Sequence, residues 1–264
     1  MTTPKVTVLL PVYNAASTID RGIRSVLSQS FTDFEFLIIN DGSTDTTSNL
    51  LSAYNDPRIR IIHQNNSGLV ASLRVGVDLA KGEYIARIDA DDYWANSKKL
   101  ELQFEYLEQH PDCILVGTNY TVITPNKPPI VVLAPSNDQE IREKFLLEAT
   151  FAHPSVMFRT DVCRQVGGYQ DRFGKYIEDI DLWVRMGTCG KFHILPINGL
   201  EYFVSNSSIT GQHATAQAWA VIRLIISSWR ERQYFPSFDK ALKKYLRQAI
   251  LLSVYSVRTK ILPS

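Results

Sequence analysis

The segment Tyr84-Ile85-Ala86-Arg87-Ile88-Asp89-Ala90-Asp91-Asp92 carries the information that decides the fold. Its first part, Tyr84–Ile88, has the short and mainly apolar composition of a buried strand. Three carboxylates follow within four residues, at the point where that strand ends. In sheets of parallel strands, ligands bind beyond the carboxyl ends of the strands. The segment therefore predicts a buried strand that leads directly into a binding site.

The residues before this segment repeat the same arrangement. Apolar strands are predicted at 6–12, 34–39 and 59–62, with helical patterns between them, the first of which is expected to begin at Ser17 with Asp20 as its capping partner. Such alternation predicts βαβ units and a parallel sheet. The polar clusters Tyr13-Asn14 and Asp41-Gly42-Ser43 also follow strands. We therefore expect both clusters to meet Asp89–Asp92 at one edge of the sheet.

The alternation weakens after residue 110. The expected elements are strands at 114–123, 153–159, 192–196 and 201–204, a proline-rich loop at 124–135, and helices at 139–149, 178–186, 214–232 and 238–260. The chain is thus predicted to be an α/β protein with a mostly parallel sheet.

The charge balance of the chain is uneven. Its 264 residues contain 28 Lys and Arg against 27 Asp and Glu, a net charge of +1. This length allows one large or two small domains, and the balance argues against a general nucleic-acid binder. Residues 1–210 contain 19 basic and 25 acidic side chains, whereas residues 211–264 contain nine and two. A basic C-terminal segment therefore follows an acidic body.

The cysteines and the N-terminus bear on where the protein acts. Cys113, Cys163 and Cys189 are widely spaced and form no CxxC pair, so we expect buried thiols rather than disulfides or a zinc site. Neither a signal peptide nor a membrane-spanning run is recognisable. We expect a cytoplasmic protein that is soluble or at most peripheral at the inner face of the plasma membrane.

The Asp89–Asp92 turn concentrates negative charge, which is unfavourable unless a cation or hydrogen-bond donors compensate it. Carboxylate oxygens suit a hard cation such as Mg²⁺ or Mn²⁺. Such an ion can bridge the phosphates of a nucleotide and stabilise a departing diphosphate. The alternative is a solvated acidic turn that caps the next helix.

A second acidic cluster, Glu178-Asp179-Ile180-Asp181, precedes Trp183 and Arg185. A carboxylate close to a hydroxyl in a partly dry site can act as a general base. Trp183 would supply an apolar wall, and Arg185 would pair with one of the carboxylates. The alternative is a helix N-terminus whose acids complement the helix dipole.

Two common nucleotide-binding motifs are missing. The chain contains neither GxGxxG nor GxxxxGK[ST], which argues against a dinucleotide-binding enzyme of the usual kind and against a P-loop kinase or ATPase. The segment Asp41-Gly42-Ser43-Thr44-Asp45 is suited to bonding a base or a ribose. It is equally typical of a plain turn with a helix cap.

Taken in order, these segments resemble glycosyltransferase family 2. The resemblance is carried by Pro11–Asn14, Asn40–Asp45, Asn66–Gly68, Asp89–Asp92, His153–Arg159, Val166–Tyr169 and Glu178–Trp183. It implies the GT-A fold, with a Rossmann-like, mostly parallel sheet flanked by helices. It further implies a catalytic domain at 1–210, made of a nucleotide-binding half at 1–110 and an acceptor half at 111–210. A basic helical extension at 211–264 would follow.

The resemblance also implies residues that bind the donor. These are Pro11, Tyr13, Asp41, Asn66, Asp89 and Asp91. Tyr13 and Asp41 would hold the nucleotide base, and Asn66 would contact it from the next loop. Asp91, with Asp89 beside it, would ligate Mn²⁺ or Mg²⁺.

For the chemical step, the resemblance implies that Asp179 deprotonates the acceptor hydroxyl, with Glu178 as the second choice. His153 and Trp183 would line the acceptor side. The chain also departs from the family pattern, since Arg74 and Phe203 stand where many members have Asn and Arg. Arg74 would reach a phosphate or lie in solvent, and His213 is either a further metal or diphosphate ligand or a surface residue.

The resemblance implies a metal-dependent, inverting enzyme that moves a sugar from a nucleotide diphosphate sugar, expected to be UDP-linked, to a glycan or polyprenyl-linked acceptor. Bacterial surface-polysaccharide biosynthesis is the expected setting. The alternative is a non-catalytic sugar-nucleotide-binding or assembly module with the same fold. A nucleotidyltransferase is disfavoured because Leu10–Tyr13 lacks a glycine-rich loop.

The basic segment at 238–260 has two interpretations. It contains Lys240, Lys243, Lys244 and Arg247 among apolar residues, so it would contact an anionic membrane peripherally or pack against the acidic body. No nucleic-acid partner is expected, because no motif of a nucleic-acid binder accompanies these charges.

Overall fold

The computed structural model describes residues 3–148, 150–174, 176–204 and 214–261, with side chains described to residue 251. The strands within these ranges are β1 (Val6–Val12), β2 (Phe34–Asn40), β3 (Ile59–His63), β4 (Tyr84–Arg87), β5 (Cys113–Ile123), β6 (Ile130–Val132), β7 (Met157–Arg159) and β8 (Lys191–Phe203). They form one sheet in the order β3-β2-β1-β4-β7-β5-β6, and β8 pairs with β5.

The helices of the described ranges lie on both sides of this sheet. They are α1 (Ile19–Leu27), α2 (Thr47–Ser52), α3 (Leu69–Leu79), α4 (Lys99–Gln109), α5 (Asp138–Lys144), α6 (Thr160–Gln165), α7 (Glu178–Met186), α8 (Ala214–Ser227) and α9 (Phe238–Ile261). Two 3₁₀ helices cover His153–Ser155 and Trp229–Tyr234. Within the described ranges, no helix combines the length and the apolar character that crossing a membrane requires.

The first four strands are parallel, as predicted. Val12 pairs with Asn40, Asn40 pairs with His63, and Leu9 pairs with Arg87. The carboxyl ends of β1, β2 and β3 therefore lie side by side, and β4 ends three residues earlier along β1. Beyond β4 the sheet is mixed, because β7 pairs antiparallel with both β4 and β5. The α/β fold with a mostly parallel sheet is confirmed.

Alternate side chains of the central strands enter two different hydrophobic clusters, one on each face. Leu9, Leu37 and Ile85 pack in one cluster, and Val8 and Phe36 in the other. Both faces being covered explains why these strands are continuously apolar.

The C-terminal helices complete one of these clusters. Val221 and Leu224 of α8 and Ala241 of α9 belong to the same cluster as Leu9. The predicted C-terminal helices are thus present and contribute to the main core. The predicted boundary between residues 210 and 211 lies outside the described residues, and the division into domains remains a prediction.

Several local predictions were wrong. The first helix begins at Ile19 without a side-chain cap, because Asp20 bonds Arg24 and Tyr54 instead. The loop predicted at 124–135 contains β6, which pairs with β5 at the edge of the sheet. The two strands predicted after residue 191 form the single strand β8, whose pairing with β5 shifts register. Of the cysteines, Cys189 is exposed.

Candidate active site

The loops that follow β1 and β2 are bonded to each other. Asn14, at a φ of 49°, accepts a hydrogen bond from the backbone N–H of Thr44 at 2.8 Å. The backbone N–H of Asn14 donates in turn to Ser43 at 3.0 Å. The two polar clusters predicted to meet at this edge therefore do so, and they form one continuous wall beside the exposed Tyr13.

Asp41 anchors the loop that follows β3. Its carboxylate accepts hydrogen bonds from Gln64 at 2.7 Å, from the Ser67 N–H at 2.9 Å and from the Gly68 N–H at 2.8 Å. Burial opposes ionisation of Asp41, but these donors together lower its pKa. Asp41 is therefore an ionised carboxylate that also fixes the loop containing Asn66.

Gly42 allows that loop to approach closely. Its φ is 72°, and a Cβ at this position would lie 2.7 Å from the backbone nitrogen of Asn66. A side chain at residue 42 would therefore be strained and would displace the loop. Asn66 is exposed at this edge, and Pro11 is buried within β1.

The acidic turn after β4 is held from below by α1. A Cβ on Gly22 of α1 would lie 3.2 Å from the Asp92 carbonyl oxygen, so the helix lies directly against the turn. Arg21 donates to the Asp91 carbonyl oxygen at 2.6 Å. This packing leaves the Asp91 residue exposed at the surface.

The side chain of Asp91 is nonetheless crowded by protein atoms. Burial of its carboxyl, and then the nearby charge of Asp89, raise the pKa of Asp91 to about 6. The carboxylate of Asp91 is thus accessible but carries an unfavourable charge, which a cation would relieve.

Asp92 connects the turn to the end of β8. It is fully buried, and its carboxylate accepts the Phe203 N–H at 3.0 Å. Burial, followed by the charges of Asp89 and Asp91, raises the pKa of Asp92 to about 9. The guanidinium of Arg21 lies 3.5 Å from the centroid of the Phe203 ring. Asp92 therefore has a structural role. Arg21, which sequence reasoning missed, is a cation that bonds the backbone of the turn.

Arg87 is the second residue that sequence reasoning missed. Its side chain is completely buried, although it lies at the end of β4. It donates to Asp89 at 2.6 Å, to the Leu9 carbonyl at 2.7 Å and to His153 at 3.2 Å. A lone charged residue in an apolar strand was the available signal. Arg87 joins the acidic turn to the second half of the chain.

His153 links Arg87 to Tyr169, in the segment that follows α6. Its Nε2 lies 2.7 Å from the Tyr169 hydroxyl, and burial followed by the charge of Arg87 lowers the pKa of His153. Because the Arg87 Nε–H donates to Nε2, the imidazole is neutral with its proton on Nδ1. The His153 ring meets the edge of Trp183 at a centroid distance of 5.8 Å. His153 is therefore in contact with α7, which contains the second acidic cluster.

The acids of α7 divide into two groups. Asp181 is buried between Arg172, at 2.5 Å, and Arg185, at 2.7 Å. Among the described residues, Glu178 and Asp179 form no such ion pair, and Glu178 Oε2 and the Trp183 indole N–H have no hydrogen-bond partner. Of the three acids, only Asp181 has its charge neutralised by arginines. The prediction that Arg185 pairs with one of these carboxylates is confirmed.

The two remaining carboxyls have raised pKa values. Burial, followed by the charge of Asp179, raises the pKa of Glu178 to about 8. Burial raises the pKa of Asp179 to about 6, although the Ile180 N–H donates to its Oδ1 at 2.7 Å. Asp89 raises both values and Arg87 lowers them. The acidic turn and the acids of α7 are therefore close enough to interact electrostatically.

The described residues contain no group of three or more His, Cys, Asp and Glu side chains that would hold a metal ion unaided. A magnesium-type ion bound to a nucleotide commonly uses one or two carboxylates and takes its other ligands from phosphates and water. The accessible Asp91 beside Asp89 fits that smaller donor set, and the raised pKa of Asp91 reflects charge that a cation would offset.

Two further candidate ligands have different outcomes. Arg74, whose side chain is 51% exposed, donates to the Tyr169 carbonyl at 3.4 Å and approaches Asp171 at 3.9 Å, so it lies at the surface beside the 169–171 loop. His213 lies outside the described residues.

We expect Arg87→Met to lower the free energy of unfolding by about 2–3 kcal/mol, because the buried Leu9 and Ile88 carbonyls lose their donor and the partly exposed Asp89 loses its cation. Urea unfolding measures the change. Arg24→Met is the control, since Arg24 pairs with Asp20 at the surface and should contribute at most about 1 kcal/mol. Equal losses in the two variants would contradict the structural role of Arg87.

Glu178→Gln should change how stability depends on pH. The folded-state pKa of Glu178 is raised to about 8, so the folded protein binds this proton more tightly than the unfolded chain. Glu178 should therefore contribute a loss of stability as pH rises from about 5 to about 8, of up to about 1.4 kcal/mol per pH unit, in addition to the losses from Asp91, Asp92 and Asp179, whose pKa values are also raised. The glutamine variant lacks this loss, whereas the exposed Glu105→Gln should retain it. Parallel stability curves for all three proteins would refute the prediction.

The mixed sheet with helices on both sides matches the GT-A fold that the motifs imply. Solved structures share the fold. TarS of S. aureus, in a structure titled as a complex with UDP-GlcNAc, gives a TM-score of 0.72 at 18% identity over 92% of this chain and 71% of that one. The mannosyltransferase PcManGT of Pyrobaculum calidifontis, titled as a complex with GDP-Man and Mn²⁺, gives 0.63 at 16% identity over 99% and 82%.

The chain belongs to the family described as Glycosyl transferase family 2, whose profile matches residues 7–167. The O-antigen biosynthesis glycosyltransferase WbnJ of Escherichia coli is 33% identical over 69% of this chain and 71% of its own length. The chondroitin synthase of Pasteurella multocida is 30% identical over 72% of this chain. The chain spans only 19% of that synthase.

Proposed function

We propose that the protein is a metal-dependent, inverting glycosyltransferase that moves a sugar from a UDP-sugar to a glycan or lipid-linked glycan acceptor during bacterial surface-polysaccharide assembly. The observation that carries the proposal is the pairing of an accessible acidic turn at Asp89 and Asp91 with the uncompensated carboxyls of Glu178 and Asp179 across Arg87. The names of WbnJ and of TarS in complex with UDP-GlcNAc support the setting and the donor class.

The donor nucleotide would lie along the edge formed by the loops after β1, β2 and β3. Tyr13, half exposed, offers a ring for the base, and Asp41 keeps an ionised carboxylate beside it. Asn66 would contact the base from the loop that Asp41 and Gly42 hold in place. The base-binding role thus depends on a loop anchored by one carboxylate.

The diphosphate would lie over the acidic turn. Asp91, with Asp89 beside it, would hold Mn²⁺ or Mg²⁺, which when bound offsets the negative charge that grows on the departing diphosphate. Arg87 keeps Asp89 in a fixed position through its 2.6 Å hydrogen bond.

The acceptor hydroxyl would enter from the side of α7. Its oxygen bonds to the anomeric carbon while the bond from that carbon to the diphosphate oxygen breaks, and the bonding electron pair leaves with the diphosphate. The hydroxyl proton passes to Asp179 Oδ2, because Oδ1 already accepts the Ile180 N–H. One displacement of this kind inverts the anomeric centre.

Neighbouring groups assist this proton transfer. Because the pKa of Glu178 is raised to about 8, Glu178 is protonated near neutral pH and leaves one negative charge on the pair. Trp183 is 1% exposed and packs against His153, so it would support the wall on the acceptor side from within the core. His153, which is bonded to Arg87 and Tyr169, would form part of the wall on the acceptor side.

The direct test is sugar transfer from labelled UDP-sugars to a panel of oligosaccharide and polyprenyl diphosphate-linked acceptors with Mn²⁺. We expect a product whose anomeric configuration is opposite to that of the donor, as read by NMR. Retention of configuration would overturn the inverting mechanism. Donor binding without transfer to any acceptor would favour a non-catalytic sugar-nucleotide-binding module.

A further inference from the structure

Helices α8 and α9 pack against each other and leave an apolar strip exposed along their outer seam. Ala218 and Ile222 of α8 meet Ala249 of α9 in a small cluster of their own. Beside this contact, Trp219 and Ile226 on α8 are 45% and 60% exposed. The seam therefore continues outward into side chains that no described residue covers.

The same feature occurs on α9. Leu246 and Ile250 are 38% and 60% exposed, and they follow Leu242, which packs on α8, at successive four-residue steps. Residues four apart lie on one face of a helix, so these side chains border the seam from its second side. We call Trp219, Ile226, Leu246 and Ile250 the seam surface.

Basic side chains flank the seam surface. Lys240, Lys243 and Arg247 of α9 and Arg223 of α8 are exposed, and Lys243 and Arg247 follow Leu242 and Leu246 by one residue, so they lie on the adjacent row of the same helix. Among the described residues, none of these four forms a salt bridge, although Arg223 donates to the Phe173 carbonyl. Asp239 is the one acidic side chain in the described parts of the two helices.

An apolar strip with tryptophan, bordered by unpaired cations, matches the chemistry of an anionic lipid surface. Apolar side chains enter the boundary between headgroups and acyl chains, and each Lys or Arg near the surface adds about 1 kcal/mol of attraction to anionic lipid. A second copy of this chain would place like charges opposite each other, which disfavours self-association.

We propose that the seam surface and its flanking cations dock the protein on an anionic membrane. The binding itself is independent of the proposed reaction. Its consequence for catalysis rests on the proposed function, because α8 also contacts the loop before Asp179. Gln217 donates to the Tyr176 carbonyl at 3.3 Å, and Arg223 to the Phe173 carbonyl at 2.9 Å. Docking would therefore hold that loop close to lipid-linked acceptors.

Vesicle cosedimentation without donor tests the docking. The full chain should sediment with vesicles of mixed phosphatidylglycerol and phosphatidylcholine, bind vesicles of phosphatidylcholine alone far more weakly, and be released by salt. Lys243→Gln with Arg247→Gln should weaken partitioning about thirty-fold, since two surface attractions are lost. Trp219→Ser with Ile226→Ser should abolish the part of the binding that survives in salt.

Matched controls lie on the β5–β6 hairpin. Leu133→Ser removes a side chain that is 77% exposed, and Lys127→Gln removes an exposed charge. Both should leave vesicle binding unchanged. Absence of binding to anionic vesicles, or equal losses in the control and seam variants, would overturn the proposal. So would a dimer, measured by analytical ultracentrifugation, that the seam variants dissociate while vesicle binding is absent. Because donor is omitted, these results do not depend on whether sugar transfer occurs.

Discussion

Asp179→Asn is expected to lower the rate of sugar transfer by about 10³-fold, within the range that a general base contributes. The amide cannot take the hydroxyl proton at Oδ2, and the Ile180 N–H continues to hold the other end of the side chain. Donor binding should be unchanged, because Asp179 lies on α7 rather than on the loops after β1, β2 and β3. The measurement is single-turnover transfer with calorimetric donor binding in parallel.

The controls for this prediction lie on the same helix. Glu178→Gln should retain far more activity than Asp179→Asn, since Glu178 is protonated near neutral pH. The rate of the unmodified enzyme should also fall below about pH 6, where Asp179 takes up a proton and can no longer act as a base. If Glu178→Gln were inactive and Asp179→Asn active, the two residues would exchange roles. Equal activity of both variants would remove α7 from the chemical step.

Asp91→Asn is expected to lower transfer by about 10²- to 10³-fold, comparable to the loss of one electrostatic contact to a developing negative charge. The substitution removes the accessible carboxylate of the acidic turn and preserves its shape. The loss should coincide with a weaker response to Mn²⁺, so titration of activity against the ion is the measurement. Because a ligating carboxylate must be ionised, the Mn²⁺ requirement should rise below about pH 6 in the unmodified enzyme.

Asp92→Asn is the matched control for Asp91. It lies next in the chain, but its carboxyl is fully buried and accepts the Phe203 N–H. We expect it to change stability and to leave the Mn²⁺ dependence unaltered. If the metal dependence shifted in Asp92→Asn but not in Asp91→Asn, Asp92 rather than Asp91 would be the metal ligand.

The sequence alone predicted the part of the fold that repeats. Period and composition were sufficient for β1, β2 and β4, because these strands are buried on both faces and therefore read as continuous apolar runs. The edge strand β3 is only partly buried, but its three isoleucines still gave a strand pattern. Period and composition were insufficient for β6, whose residues Ile130 and Val131 are exposed at the sheet edge beside prolines. The bulged β8 read as two strands because Pro196 and Gly199 interrupt its pattern.

The donor-side candidates were predicted from polar clusters that follow strands, whereas Glu178 and Asp179 were predicted from an acidic cluster and from the family resemblance. The sequence of the cluster Glu178–Asp181 does not show which of its acids is paired with an arginine. Arg172 contacts Asp181 only because the folded chain brings the two residues together. Arg87 and Arg21 were missed for the same reason, since their partners lie in distant segments of the chain. Sequence order locates the carboxylates, but the cations that position them are set by the fold.

In the proposed function, the acidic turn and the loops after β1 to β3 form one metal-dependent site for a nucleotide sugar. A thermal-shift screen of UDP-, GDP- and dTDP-sugars, each with and without Mn²⁺, tests it most directly, because a ligand that binds the folded state raises the melting temperature. We expect stabilisation by UDP-sugars that requires Mn²⁺ and is lost in Asp91→Asn. Stabilisation of equal size with and without Mn²⁺, or by none of the three nucleotide classes, would contradict the proposal.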